Sequence, residues 1–147
     1  KIAMETLNEG RVNIATTALG IARSAFEESL KYAKQRVQFG KSIGTYQSIN
    51  FLLADMAAAV DASRLLTWYA ASRCDQKLSF AREAAQAKLF ASDTAMWVTT
   101  DAVQIHGGYG YIKEYVVEKL MRDAKLTQIY EGTNQINRIV AGGALMR

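Results

Sequence analysis

A chain of 147 residues, half of them hydrophobic, carries enough apolar side chain for one core, and the absence of proline leaves long helices uninterrupted. Its formal charge of +4 comes from Lys and Arg interleaved with acids, which speaks against a basic block that would track nucleic-acid phosphates. Cys74 is the single cysteine and His106 the single histidine, so neither an internal disulfide nor a Cys/His metal cluster is expected, and no apolar run reaches the roughly 18 to 20 residues that span a bilayer.

Lys1 to Glu5 reads as helix interior and not as a signal peptide, so the chain is expected to begin partway through a longer protein. From Ile2 to Gln35 the residues Ala15, Leu19, Ala22, Phe26, Leu30 and Ala33 step by three or four, the spacing of one helix face. Ile14, Ala18, Ile21 and Ala25 form an adjoining stripe, and Lys31, Lys34 and Arg36 gather where cations complement the helix dipole. This helix is expected to stop near Gly40, with Lys41 to Gly44 as a loop and Thr45 as N-cap of a second helix running to about Gln76. In that helix Ile49, Leu53, Met56 and Val60 face inward, and Trp68 and Tyr69 are expected to extend the core.

Ser79 is the candidate N-cap of a third helix, with Glu83 suited to its positive end. Leu89, Met96 and Val103 lie seven apart along it, and Gly107-Gly108 should end it, since glycine lets a chain leave a helix at positive φ. A shorter helix fits Glu114 to Ala124, an irregular stretch follows over Lys125 to Gly132, and Thr133 caps a last helix bearing Ile136, Ile139, Val140 and Leu145. The fold class is therefore all-α: an up-down bundle of the four-helix type with an additional short helix.

Gly107-Gly108-Tyr109-Gly110 lacks the G-x-G-x-x-G spacing and follows a helix instead of a strand, so it is not a Rossmann phosphate loop. His106 sits at a helix end, where a polar side chain is commonly found for structural reasons. Glu131, between Tyr130 and Gly132 and just before a capped helix, is placed where irregular backbone can hold a carboxylate beside a ligand; the plain alternative is a solvated loop glutamate. Arg36, Gln38 and Phe39 bring a forked phosphate donor, an amide and an aromatic face together, with helix-end electrostatics as the alternative. Thr133 and Gln135 stand at a helix N-terminus, which attracts anions.

Several segments together closely resemble the acyl-CoA dehydrogenases: Arg36-Val37-Gln38-Phe39-Gly40-Lys41 with Gln47, then Gln104-Ile105-His106-Gly107-Gly108, then Arg122-Asp123-Ala124-Lys125 leading into Ile129-Tyr130-Glu131-Gly132-Thr133-Asn134-Gln135-Ile136. The set runs in order through essentially the whole chain. The resemblance implies the C-terminal helical domain over 1–147, with the N-terminal helical and middle β-domains of the family absent from this stretch. It implies FAD-dependent α,β-dehydrogenation of an acyl-CoA thioester to the trans-2-enoyl-CoA, a reaction this domain alone is not expected to perform.

Glu131 matches the family's catalytic base. Some relatives carry the base immediately before the arginine matching Arg11; here that position is Gly10, with the neighbouring Glu9 a remote second choice. Arg36, Gln38, Phe39 and Gln47 resemble positions that contact FAD in a neighbouring subunit, and Gln104, Gly107 and Gly108 match the partner surface for its adenosine-diphosphate portion. Thr133 and Gln135 resemble FAD contacts after the base. Asn8, Arg11 and Gly132 match positions near the substrate, although relatives commonly have aspartate at Asn8; Val116 stands where many have proline. The resemblance further implies a homodimer or homotetramer, electron-transferring flavoprotein as electron acceptor, and a location in a bacterial cytoplasm or a mitochondrial matrix. Two other readings stay open: a non-catalytic assembly module, and acyl-CoA oxidase chemistry on the same scaffold.

Overall fold

The computed structural model describes residues 2–146, with side chains from residue 6 onward; the reading of Lys1 lies outside them. Three long helices, α1 (Ile2–Gln35), α2 (Gln47–Asp75) and α3 (Ala81–His106), are followed by two short ones, α4 (Val117–Thr127) and α5 (Asn134–Leu145). The chain turns back at each connection, so α1 and α3 run the same way, and Tyr32 stacks on His106 where both helices end. The contact between α1 and α3 is built from alanine: Ala15, Ala18, Ala22 and Ala25 on one side, and Ala84, Ala87, Ala91, Ala95 and Ala102 on the other, are fully buried. Side chains this short let two helices approach closely. Met56, Val60, Val98, Ile105 and Val117 fill the wider spaces around that seam.

The structure corrects several local expectations. Residues after α1 do not form a plain loop but a tiny antiparallel hairpin, β1 (Val37–Gln38) paired with β2 (Lys41–Ser42). Phe39 and Gly40 at its tip both have positive φ, at 52° and 83°, as a two-residue hairpin turn requires. Thr45 caps nothing: it lies in a 3-10 turn and its hydroxyl donates to the Ser42 carbonyl, while Tyr46 precedes α2. Trp68 and Tyr69 are more than half or half exposed, because the buried face of α2 continues through Ser63, Thr67 and Ala70. One residue turns a helix by about 100°, enough to carry Trp68 off that face. Tyr69 instead lies under the Arg73 guanidinium.

Ser79 is not the cap of α3, which starts after Phe80. The Ser79 carbonyl accepts Arg73 Nε and Nη2 at 3.0 and 2.7 Å, and the buried Glu83 carboxylate pairs with Arg82 at 2.7 Å. α4 begins three residues later than expected, since Gly107–Tyr111 first winds into a 3-10 turn. Thr133 does cap α5, accepting the Ile136 N–H. The buried face of α5 is polar, consisting of Asn134 and Asn137 with Ala141, while Ile136, Ile139 and Leu145 are exposed. That polar face packs on α3 and forms the floor of the site.

Candidate active site

Residues 128–133 join α4 to α5 and carry Glu131 in an unusual conformation. Glu131 has φ 52° and Gly132 φ 87°, so a non-glycine residue sits in the left-handed region, at a cost of about 1 to 2 kcal/mol. Neighbouring groups must hold it there. The Asn134 N–H closes the loop on the Gln128 carbonyl at 3.1 Å. Gln128 Nε2 and Asn134 Nδ2 each donate to Asp93 Oδ1 at 2.7 Å, which ties both ends of the loop to α3. Between them, the Gly132 carbonyl accepts from Lys88 Nζ and Asn137 Nδ2, each at 2.8 Å.

Lys88 is fully buried, and its ammonium also donates to Asn134 Oδ1 at 2.9 Å. Burial pushes its pKa down to about 8, against the pull of Asp93. Sequence reasoning missed this residue. Its signal was a lysine in register with Ala84, Ala91 and Ala95, on the face of α3 that faces no solvent.

Glu131 is exposed in this chain, yet its carboxylate does not point away from the bundle. It folds back over α1 at Gly10, where an added Cβ would lie 2.7 Å from Oε2 and 3.1 Å from Cδ. The next residue, Arg11, is 4% exposed and donates from Nη1 to Asn8 Oδ1 at 2.8 Å. Burial lowers the Arg11 pKa and the nearby Glu131 charge partly restores it. Arg11 Nε is buried without a hydrogen-bond partner among the described residues. The structure thus gathers Asn8, Gly10, Arg11, Glu131 and Gly132, which are far apart in sequence, at one end of the bundle. Glu9 is exposed on the other side of α1, near Cys74 and Asp75.

Gly10→Ala separates stability from geometry. A helical glycine costs roughly 0.5 to 1 kcal/mol relative to alanine, and only the flexible tip of Glu131 stands in the way. The variant is expected to melt at or slightly above the wild-type temperature while its carboxylate is displaced. Thermal unfolding and a high-resolution structure of the variant check both halves.

At the opposite end, Tyr32, Arg36, Gln38, Ile105, His106, Gly107, Gly108 and Tyr109 line an open cleft of about 530 Å³. The Arg36 guanidinium stands 5.2 Å from the Tyr109 ring centre. Gly107 has φ 61°, and open space lies where a Cβ would stand at Gly107 and Gly108, so their backbone is accessible to a ligand. His106 is structural: it is 4% exposed, hydrogen-bonds through Nδ1 to the Ala102 carbonyl at 2.8 Å and stacks on Tyr32 at 4.2 Å. Burial lowers its pKa. A carbonyl only accepts, so the ring hydrogen in this pair sits on Nδ1. Phe39 projects from the hairpin tip at 94% exposure, and Gln47, Gln104 and Gln135 are also exposed. Thr133 and Gln135 share the Glu131 end. Between Arg11 and Arg36 α1 covers roughly 38 Å at 1.5 Å per residue, so the two groups of candidate residues cannot meet on one small ligand within a single chain.

The model of the acyl-CoA dehydrogenase C-terminal domain matches residues 1–146. The chain belongs to the acyl-CoA dehydrogenase family. Among its acyl-CoA dehydrogenase relatives, the short-chain specific enzyme of Megasphaera elsdenii is 55% identical over 147 residues, which is 100% of this chain and 38% of that protein. The solved structure of butyryl-CoA dehydrogenase from Megasphaera elsdenii superposes with a TM-score of 0.99 at 55% identity, again over 100% of this chain and 38% of that one. A structure of the electron transferring flavoprotein of Acidaminococcus fermentans contains a chain matching with a TM-score of 0.99 at 54% identity, over 100% of this chain and 39% of that one. The chain therefore spans somewhat over a third of the length of the acyl-CoA dehydrogenases it matches, and the all-helical bundle expected from its alanine pattern is that family's C-terminal helical domain.

Proposed function

We propose that this chain is the C-terminal part of an FAD-dependent acyl-CoA dehydrogenase that converts an acyl-CoA thioester to its trans-2-enoyl-CoA, with N-terminal helical and middle β-domains completing the protein. One observation carries the reading: in a member of this family, a loop carboxylate held at positive φ lies over a side-chain-free position of α1, beside a buried arginine. FAD, when bound, supplies the acceptor for the hydrogen that leaves the β-carbon. Glu131 accepts the α-proton. Its own backbone N–H, which has no backbone acceptor among the described residues, is available to donate to the thioester carbonyl, where negative charge develops as the proton leaves. Arg11 attracts the nearby Glu131 carboxylate.

The cleft at the far end fits the nucleotide part of the cofactor. A guanidinium fork at Arg36, the Gln38 amide and the open backbone of Gly107 and Gly108 suit a diphosphate, with Phe39, Gln47 and Gln104 around it. Thr133 and Gln135 would meet the cofactor near Glu131. Because the two groups lie at opposite ends of α1, a cofactor touching both draws them from two copies of the chain, which supports a homodimer or homotetramer. The matching chain in the Acidaminococcus structure supports electron-transferring flavoprotein as the electron acceptor.

The test is anaerobic mixing of the FAD-loaded full-length protein with butyryl-CoA. Loss of the oxidised flavin absorbance together with one equivalent of trans-2-enoyl-CoA is expected. Failure of short, medium and branched acyl-CoAs alike to bleach a retained flavin rejects the reading.

A further inference from the structure

Beyond the last turn of α4, which the loop continues, the hydrogen bonds that fix the Glu131 loop among the described residues end on three side chains of α3 or on the first turn of α5. Lys88, Ser92 and Asp93 occupy one face of α3 over little more than a turn, opposite Asn134 and Asn137. Ser92 Oγ donates to Asn134 Oδ1 at 3.1 Å, so Asn134 is gripped from both Lys88 and Ser92. The arrangement is directed at the loop and not at general cohesion. Gly132, which has no Cβ to impose a conformation, has its carbonyl held by two side chains that are each 0% exposed, Lys88 and Asn137.

A methionine would fill the space of Lys88 without the cost of burying an ammonium, which is strongly unfavourable unless its partners repay it. Those partners are the carbonyl one residue after Glu131 and the side chain three residues after it. Without the clamp, the freedom of Gly132 passes directly to Glu131, whose left-handed backbone does not sustain itself.

We propose that Lys88 is a positioning residue for Glu131: by gripping the Gly132 carbonyl and Asn134 from inside the bundle, with Asp93 pinning the ends of the loop, it aims the carboxylate over Gly10. The proposal rests on the reading of Glu131 as the proton acceptor.

The experiment uses the full-length FAD-loaded protein and follows flavin reduction by saturating butyryl-CoA, with α-protio and α-deuterio substrate, in wild type and Lys88→Met. The variant is expected to retain FAD and bind substrate normally, yet to reduce its flavin about 100-fold more slowly per bound flavin, the effect of an ångström-scale misplacement. Its α-deuterium isotope effect should rise, because proton removal becomes the harder step. An unchanged rate overturns the proposal, and so does a slower rate with an unchanged isotope effect, the signature of a merely structural role. Should Lys88→Met fail to retain FAD, Asp93→Ala at a half-buried site removes the side-chain acceptor of Gln128 and one of the partners of Asn134 while leaving Lys88 in place. Reduction about tenfold slower, with a raised isotope effect, is expected there for a smaller displacement of the same kind; an unaltered rate overturns the proposal. A wild-type protein that no acyl-CoA bleaches sinks the reading of Glu131 and this proposal with it, whereas a bleaching wild type with unaltered variants sinks the proposal alone.

Discussion

Glu131→Gln in the FAD-loaded full-length protein is expected to slow flavin reduction by acyl-CoA by about 10³- to 10⁴-fold, the upper part of the range that a positioned general base contributes. The substitution is nearly isosteric, and the side chain that leaves makes no hydrogen bond the loop depends on. The loop is held instead through the Gly132 carbonyl, Asn134 and Gln128. Flavin content, melting temperature and acyl-CoA affinity should therefore stay close to wild type while the proton has nowhere to go. Stopped-flow absorbance separates these quantities: a rate that falls together with flavin content would mean that the loop, and not the base, had been lost.

Gly110→Ala is expected to destabilise the protein by about 3 kcal/mol, the upper end for forcing atoms into a filled space. A Cβ there would lie 2.6 Å from the Val103 carbonyl oxygen, 3.0 Å from Val103 Cα and 2.9 Å from His106 Cβ. Two of these are backbone atoms of α3, so no side-chain rotation relieves the overlap. The melting temperature should drop by about 10 °C for a domain of this size. Relief comes only if the 3-10 turn Gly107–Tyr111 moves off the end of α3, which would also open the cleft and weaken FAD retention. Gly108→Ala is the control, because open space surrounds a Cβ at that position, and its stability should stay within about 0.5 kcal/mol of wild type. Urea unfolding of both variants, with flavin release followed in parallel, checks the pair.

The bundle was legible because its cause is periodic. Ala15, Ala18, Ala22 and Ala25 announce a buried helix face by spacing alone, and Thr133 announces a helix start by its hydroxyl. What failed was chemistry that spacing does not encode. In α2 the apolar arc is broad, so Trp68 and Tyr69 looked buried although the inward stripe passes through Ser63 and Thr67. The hairpin after α1 was hidden because its turn uses Phe39 at positive φ, where sequence patterns anticipate Asn or Gly. Lys88 was invisible for a different reason: its partners are a carbonyl and an amide more than forty residues downstream. Glu131 stood out through the Tyr-Glu-Gly context and the family resemblance, and relatives with the base at the position of Gly10 hinted that the two meet, but residue spacing alone did not place it across Gly10. That contact joins the start of α1 to the last connection of the chain, and only the packed bundle creates it.

The most direct measurement isolates the proton step from the flavin. An acyl-CoA with no hydrogen on its β-carbon cannot be dehydrogenated, but its α-hydrogens can still exchange with deuterated solvent if a base reaches them. Incubated with the full-length FAD-loaded protein and followed by proton NMR, such a substrate should lose its α-hydrogen signal with wild type and keep it with Glu131→Gln. Exchange at an equal rate in both proteins would contradict the assignment of Glu131.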